Sequence, residues 1–106
     1  MPSYCVYCHL NKINNKRYIG LTGETNPSKR WGSNGINYSS CTCFYNAIKK
    51  YGWNNFEHII LKTNLTREEA EYWEKEYIKI YNTISPNGYN LTYGGESKKE
   101  ISEITR

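Results

Sequence analysis

Two short runs near the start of the chain, SYCVYCHL at 3 to 10 and RYIGL at 17 to 21, crowd β-branched, aromatic and aliphatic residues together. Such runs predict strands, and the Asn-rich segment NKINNK between them predicts a hairpin-like loop joining an antiparallel pair. Side chains alternate along a strand, so pairing brings Tyr7 and Tyr18 near each other on one face. TNPSKRW then predicts a short helix, with Asn26 as cap and Pro27 in the first turn. The segment GSNGINYSS predicts a loop leading into a second helix from about Ser40, in which Phe44, Ile48 and Tyr51 keep helical spacing and Gly52 is placed to end it. FEHIILK at 56 to 62 predicts a third strand. The last helix is the most clearly marked, from a Thr66/Glu69 capping box to about Tyr81, before the turn-forming Pro86-Asn87-Gly88. The order is β-β-α-α-β-α, a small α/β (α+β) domain.

On a helical wheel, Ala70, Trp73, Tyr77, Ile78, Ile80 and Tyr81 share one face of that last helix, and Glu74 falls inside the stripe. Glu68 and Glu71 point to the outer side. A carboxylate on a core face must be hydrogen-bonded, ion-paired or bound to a metal, or else reach water at the stripe's edge, because burying it alone is expensive. Glu74 is the acid that this pattern singles out.

Composition changes the picture in three ways. The 106 residues suit one domain with a modest core. A formal net charge of +4 is unevenly spread. Through residue 61 the bases Lys12, Lys16, Arg17, Lys29, Arg30, Lys49 and Lys50 face only Glu24 and Glu57, and the acids crowd into 68 to 76. A basic first half fits a polyanionic partner, and 11 tyrosines with 3 tryptophans offer stacking surface for nucleic acid as readily as for a core. Aspartate is absent from the sequence. Nucleases that clamp two metal ions between clustered carboxylates draw on it, so that architecture is disfavoured, and any metal-bound carboxylate here is a Glu. No run approaches the roughly 18 apolar residues of a membrane span, and MPSYCVYCHL lacks the basic start and apolar stretch of a signal peptide. The expectation is a cytoplasmic or nuclear protein with reduced cysteines.

Cys5, Cys8, Cys41 and Cys43, with His9 in reserve, raise the alternative of a zinc site. A zinc knuckle needs a tight turn between its thiols, whereas Cys5 and Cys8 stand in a predicted strand, where an offset of three puts them on opposite faces. Buried free thiols are the better expectation. His58 on the third strand, Trp31 and Trp53 are read as structural.

Taken together, CVY before the hairpin, RYIG after it, KRW about ten residues on, the core-facing Glu in YWEKEYI, and NGYNLTYGG at the end resemble the GIY-YIG nuclease superfamily. Each motif alone is weak, but their order and spacing are specific. The resemblance covers residues 3 to about 95, and within the superfamily it points to the catalytic domains of phage and giant-virus homing endonucleases. It implies a three-stranded antiparallel sheet flanked by helices that hydrolyses phosphodiesters of double-stranded DNA with one divalent ion, Mg²⁺ or Mn²⁺. By motif, Tyr7 and Tyr18 match the two family tyrosines, Gly20 the closing glycine, Arg30 the arginine after the hairpin, Glu74 the metal-binding glutamate and Asn90 the terminal asparagine. The chain departs from the family in reading Cys-Val-Tyr in the first motif. It also lacks the histidine that homing members often carry before the second helix, where it offers Tyr38 and Ser39.

The resemblance implies that Glu74 holds the ion, Arg30 neutralises charge growing on the phosphate, and Tyr7 takes the proton of the attacking water while Tyr18 orients it, or the reverse. Asn90 fixes either a phosphate or the active-site backbone. Lys16, Arg17 and Lys29 are candidates for flanking phosphates. A phenol acting as base predicts activity rising from pH 7 toward 9. Residues 1 to 95 are expected to form the domain and 96 to 106 a tail or linker start, with weak sequence preference of its own and specificity supplied by a C-terminal DNA-binding domain that is either missing from this chain or never existed. The alternatives are a silent DNA-binding module and a repair or restriction nuclease.

Overall fold

The computed structural model describes residues 4–24, 26–39 and 41–92. Three strands, β1 (Tyr4–Asn11), β2 (Arg17–Thr22) and β3 (Phe56–Leu65), form one antiparallel sheet in the order β2-β1-β3. The helices are α1 (Ser28–Trp31), α2 (Thr42–Tyr51) and α3 (Arg67–Tyr81), so the predicted order holds. The predicted tail, 96 to 106, lies outside the described residues. Among the described residues, no helix is long and apolar enough to cross a membrane.

The hairpin closes by local chemistry. Asn11 and Asn14 accept hydrogen bonds through their side-chain oxygens from the N–H groups of Ile13 and Lys16, both at 2.9 Å, while Asn15 takes a left-handed φ of 65°. Register then follows, with His9 opposite Tyr18 and Tyr7 opposite Gly20 on one side, and His9 opposite His58 on the other. The β1–β3 pairing is irregular around Val6, next to Tyr7, where a bulge can re-aim a side chain.

Alternation along β1 sends its two sets of side chains into two cores. Val6 and Cys8 join Ile19, Ala70 and Ile78 under α3. Cys5 and Tyr7 join Tyr38, Phe44, Ala47, Ile48, Phe56 and Tyr89 under α2. The two nearby cysteines therefore stand on opposite faces, as their spacing predicted.

α3 begins with the expected capping box, Thr66 Oγ1 accepting from the Glu69 N–H at 3.1 Å and Glu69 Oε1 from the Thr66 N–H at 2.9 Å. Its buried line runs through Ala70 and Ile78, with Trp73 and Tyr77 packed beside them. Ile80, expected on this face, is 64% exposed, and Tyr81 is exposed at its margin. At 100° per residue Ile80 stands about 120° from Glu74, beyond the sheet's reach. The expected loop before α2 also differs. It winds into a 3₁₀ segment, Ser33–Tyr38, with Asn34 and Gly35 at φ 54° and 74°. Gly35 is packed so closely on the Trp53 ring that an added Cβ would lie 2.7 Å from it. This compact turn drives Tyr38 fully into the core.

Candidate active site

Tyr7 lies across Gly20 on the neighbouring strand, where a Cβ would stand 2.7 Å from the phenolic oxygen. The glycine of the YIG motif is thus a space requirement. Tyr7 is 1% exposed, whereas Tyr18 is half-buried and stacks on Phe44, centroids 4.5 Å apart.

Arg30 comes from α1, whose first turn is capped by Asn26 Oδ1 accepting from the Ser28 N–H at 3.1 Å. Its guanidinium lies 4.7 Å from the centre of the Tyr38 ring and donates to the Asn37 carbonyl at 3.4 Å. Glu74 sits between Ala70 and Ile78 on the buried line of α3 and is half-buried.

Both phenols feel the charges of Arg30 and Glu74. Burial pushes the Tyr7 phenol up to about 12, partly offset by the hydrogen bond from Tyr38 and the charge of Arg30, while Glu74 raises it further. Burial likewise pushes Tyr18 up, reinforced by Tyr7 and Cys41, opposed by Arg30 and raised again by Glu74. In the chain alone, desolvation of the phenolate outweighs the charge of Arg30.

Asn90 is buried and fully engaged. Its Oδ1 accepts from the Ile19 N–H at 2.8 Å and from the Thr83 hydroxyl at 2.8 Å, and its Nδ2 donates to the Ile19 carbonyl at 2.9 Å. Of the two roles open to it, this geometry is that of a brace on the backbone between Tyr18 and Gly20. Gly88 makes the approach feasible, since a Cβ there would lie 2.5 Å from the Thr83 carbonyl and 2.7 Å from that of Arg17.

The flanking bases divide. Lys29 is exposed beside Arg30, and Lys16 is half-buried in the hairpin turn. Arg17 turns the other way, its guanidinium 4.6 Å from the Tyr81 ring centre and next to Cys8. It therefore does not join the Tyr7–Tyr18 face, because its neighbour Tyr18 already points there and alternation forbids both.

Sequence reasoning missed the contacts of Tyr38 and His9. The Tyr38 hydroxyl donates to the Tyr7 oxygen at 3.0 Å and lies 2.9 Å from His9 Nε2, while His9 Nδ1 is 2.8 Å from His58 Nδ1. His9 is completely buried, and burial, then His58 and Arg30, hold it well below the usual imidazole range. The available signal was the strand period, which puts His9 on the same face as Tyr7. Trp31 and Trp53 pack against this group as expected, and the Trp31 indole N–H is buried without a hydrogen-bond partner among the described residues.

Comparison with known proteins places this arrangement. The family model of the GIY-YIG catalytic domain matches residues 3–90, so the chain belongs to the GIY-YIG family. Among its relatives is segE of Enterobacteria phage T4, provisionally assigned as an endonuclease, 39% identical over 90 residues that make up 85% of this chain and 41% of the relative. The same phage's segD, assigned in the same way, is 28% identical over 101 residues, 95% of this chain and 43% of its own. The chain thus spans about two-fifths of the length of the curated relatives it matches. A glutamate-to-alanine mutant of the catalytic domain of intron endonuclease I-TevI has a similar fold, with a TM-score of 0.71 at 25% identity, covering 87% of this chain and 96% of that one.

Proposed function

We propose that this chain is the catalytic domain of a DNA endonuclease that hydrolyses phosphodiester bonds of double-stranded DNA with one divalent ion, Mg²⁺ or Mn²⁺. The observation that carries the reading is the match of residues 3–90 to the GIY-YIG catalytic domain, with Tyr7, Tyr18, Arg30 and Glu74 at its motif positions and both phenols feeling the Arg30 and Glu74 charges. Glu74 is the residue to hold the ion. A single hard carboxylate fits a cation that keeps most of its ligands as water and phosphate oxygens, and no group of three or more His, Cys, Asp or Glu side chains gathers among the described residues. When bound, such an ion neutralises charge on the phosphate and eases departure of the leaving oxygen.

The protein's own groups supply the rest. Arg30 aligns a non-bridging oxygen and stabilises charge developing on it. Tyr7 takes the proton of the attacking water. Its oxygen accepts from Tyr38 and feels Arg30, two features that favour a phenolate, while the more exposed Tyr18 orients the water. Asn90 holds the strand under both phenols. Lys16 and Lys29 are placed for flanking phosphates, contacts that position DNA without reading bases. Residues 1 to 95 constitute this domain. The greater length of the relatives fits a further segment that supplies sequence preference, with the domain alone cutting at low specificity.

Conversion of supercoiled plasmid to nicked and linear forms with Mg²⁺, native chain against Glu74→Ala, tests the reading. Cleavage by the native chain falling by about 10²-fold or more in the variant is the expected result. Salt-sensitive DNA binding without cleavage would instead favour a silent binding module.

A further inference from the structure

The hydrogen bonds beneath Tyr7 continue past the groups that the proposed chemistry uses. From the Tyr7 hydroxyl a line runs through the Tyr38 hydroxyl (3.0 Å), His9 Nε2 (2.9 Å), His9 Nδ1 and His58 Nδ1 (2.8 Å). Its inner members, Tyr7, Tyr38 and His9, are 1% or less exposed, and its outer member His58 is half-buried. A buried imidazole needs partners at both nitrogens, and one partner of each kind would satisfy His9. Here both partners can themselves exchange a proton, so the line has no inert link.

We infer that Tyr38, His9 and His58 form a proton-exchange line that returns Tyr7 to its reactive form by carrying its proton to the protein surface. The inference rests on the nuclease reading and deepens it. At 1% exposure Tyr7 is already closed off from solvent, and the line offers its proton a route through the protein. In the outward step the Tyr7 O–H bond breaks and its proton forms a new O–H bond on Tyr38. Tyr38 passes its own proton to His9 Nε2, and His9 passes its Nδ1 proton to His58 Nδ1. His58 then releases its Nε2 proton to water, so one proton leaves and no electron moves. The step ends in the polarity the structure displays, with Tyr38 donating to Tyr7 and thereby stabilising its phenolate.

The line requires neutral imidazoles, and its surroundings supply that. His9 is faced by His58 from β3, Tyr18 from β2, Arg30 from α1, Tyr38 from the 3₁₀ segment and Tyr7 on its own strand. His58 is faced by His9 and by Lys12, and burial followed by the Lys12 charge lowers it as well. The rings of Trp31 and Trp53 close over the pair, Trp53 stacking on His58 with centroids 4.2 Å apart. His58, Tyr38 and His9 act through Tyr7 and are positioning residues, not catalytic ones.

The test is plasmid nicking with Mg²⁺ from pH 6 to 10 by the native chain, His58→Gln, Tyr38→Phe and Glu74→Ala, with thermal unfolding of each. Glutamine keeps a hydrogen bond to His9 but cannot pass a proton through. The expected result is a rate about ten-fold or more below native near pH 7 for His58→Gln and for Tyr38→Phe, with unchanged DNA affinity. That deficit shrinks toward pH 10, where hydroxide in solution takes over. A deficit equal at every pH, or none, overturns the line while native cleavage and its loss in Glu74→Ala leave the nuclease reading standing. Absence of cleavage by the native chain overturns both.

Discussion

The two faces of the sheet are equally dry but differently built. Under α3, the buried side chains Val6, Cys8, Ile19, Ala70 and Ile78 are aliphatic or thiol, with Glu74 and Arg17 at the edge of the cluster. On the other face a row of polar rings, Tyr18, His9 and His58, crosses all three strands, with Tyr7 and Tyr38 beside it. Val6 and His9 are both 0% exposed, so burial does not distinguish the faces. Hydrogen bonding does. A polar group in a dry core costs free energy unless it is paired, and this chain pairs imidazoles and phenols where aliphatic residues would be simpler. One face is built mainly for packing, and the other around the hydrogen-bonded phenol of Tyr7.

That division can be broken most sharply at Tyr7 itself. Tyr7→Phe keeps the ring over Gly20 and removes only the hydroxyl. Nicking rates should fall by about 10²–10⁴-fold, while denaturant titration should move unfolding by no more than about 1.5 kcal/mol. A variant that unfolds but retains its rate per folded molecule would erase the distinction between the faces. The complementary change is Ile78→Ala, which opens a cavity on the aliphatic side. It should cost about 2–5 kcal/mol of stability, read by denaturant titration, with the specific cleavage rate of the folded fraction unchanged.

A smaller effect sharpens the comparison by pH. His9 is held well below the ordinary imidazole range, so the unfolded chain binds a proton near pH 6.5 that the folded chain refuses. Its contribution to stability is present above that pH and is lost as pH falls. The loss approaches about 1.4 kcal/mol for each unit below about 6.5. Melting temperatures from pH 7.5 to 5 should show the decline, and His9→Asn should blunt it. An equal slope in both proteins would place the acid sensitivity elsewhere.

Much of this architecture was legible in the sequence, for identifiable reasons. Strand periodicity separated Cys5 from Cys8 and put Tyr7 and Tyr18 on one face, and the Thr66/Glu69 box marked the start of α3 to the residue. Glu74 stood out because a carboxylate within an apolar stripe is an anomaly that local rules detect. What escaped were features set by packing between distant segments. Tyr38 reaches the core because Asn34 and Gly35 turn left-handed against Trp53, a contact that no window of sequence around it contains. The His9–His58 contact also escaped, since it depends on a register between residues 49 positions apart. Arg17 drew attention as a charge beside the hairpin, yet the alternation that places Tyr18 sends it to Tyr81.

The brace formed by Asn90 bears on how this domain meets its neighbours. β2 is a border strand of the sheet, and an unpaired border is a template on which another chain can add a strand. At Ile19 both backbone groups are already taken by a single side-chain amide from near the end of the described chain. Tyr89 reinforces the seal, its N–H donating to the Arg17 carbonyl at 2.9 Å. The segment that steadies the strand beneath the two phenols therefore also occupies that border of the sheet at Arg17 and Ile19.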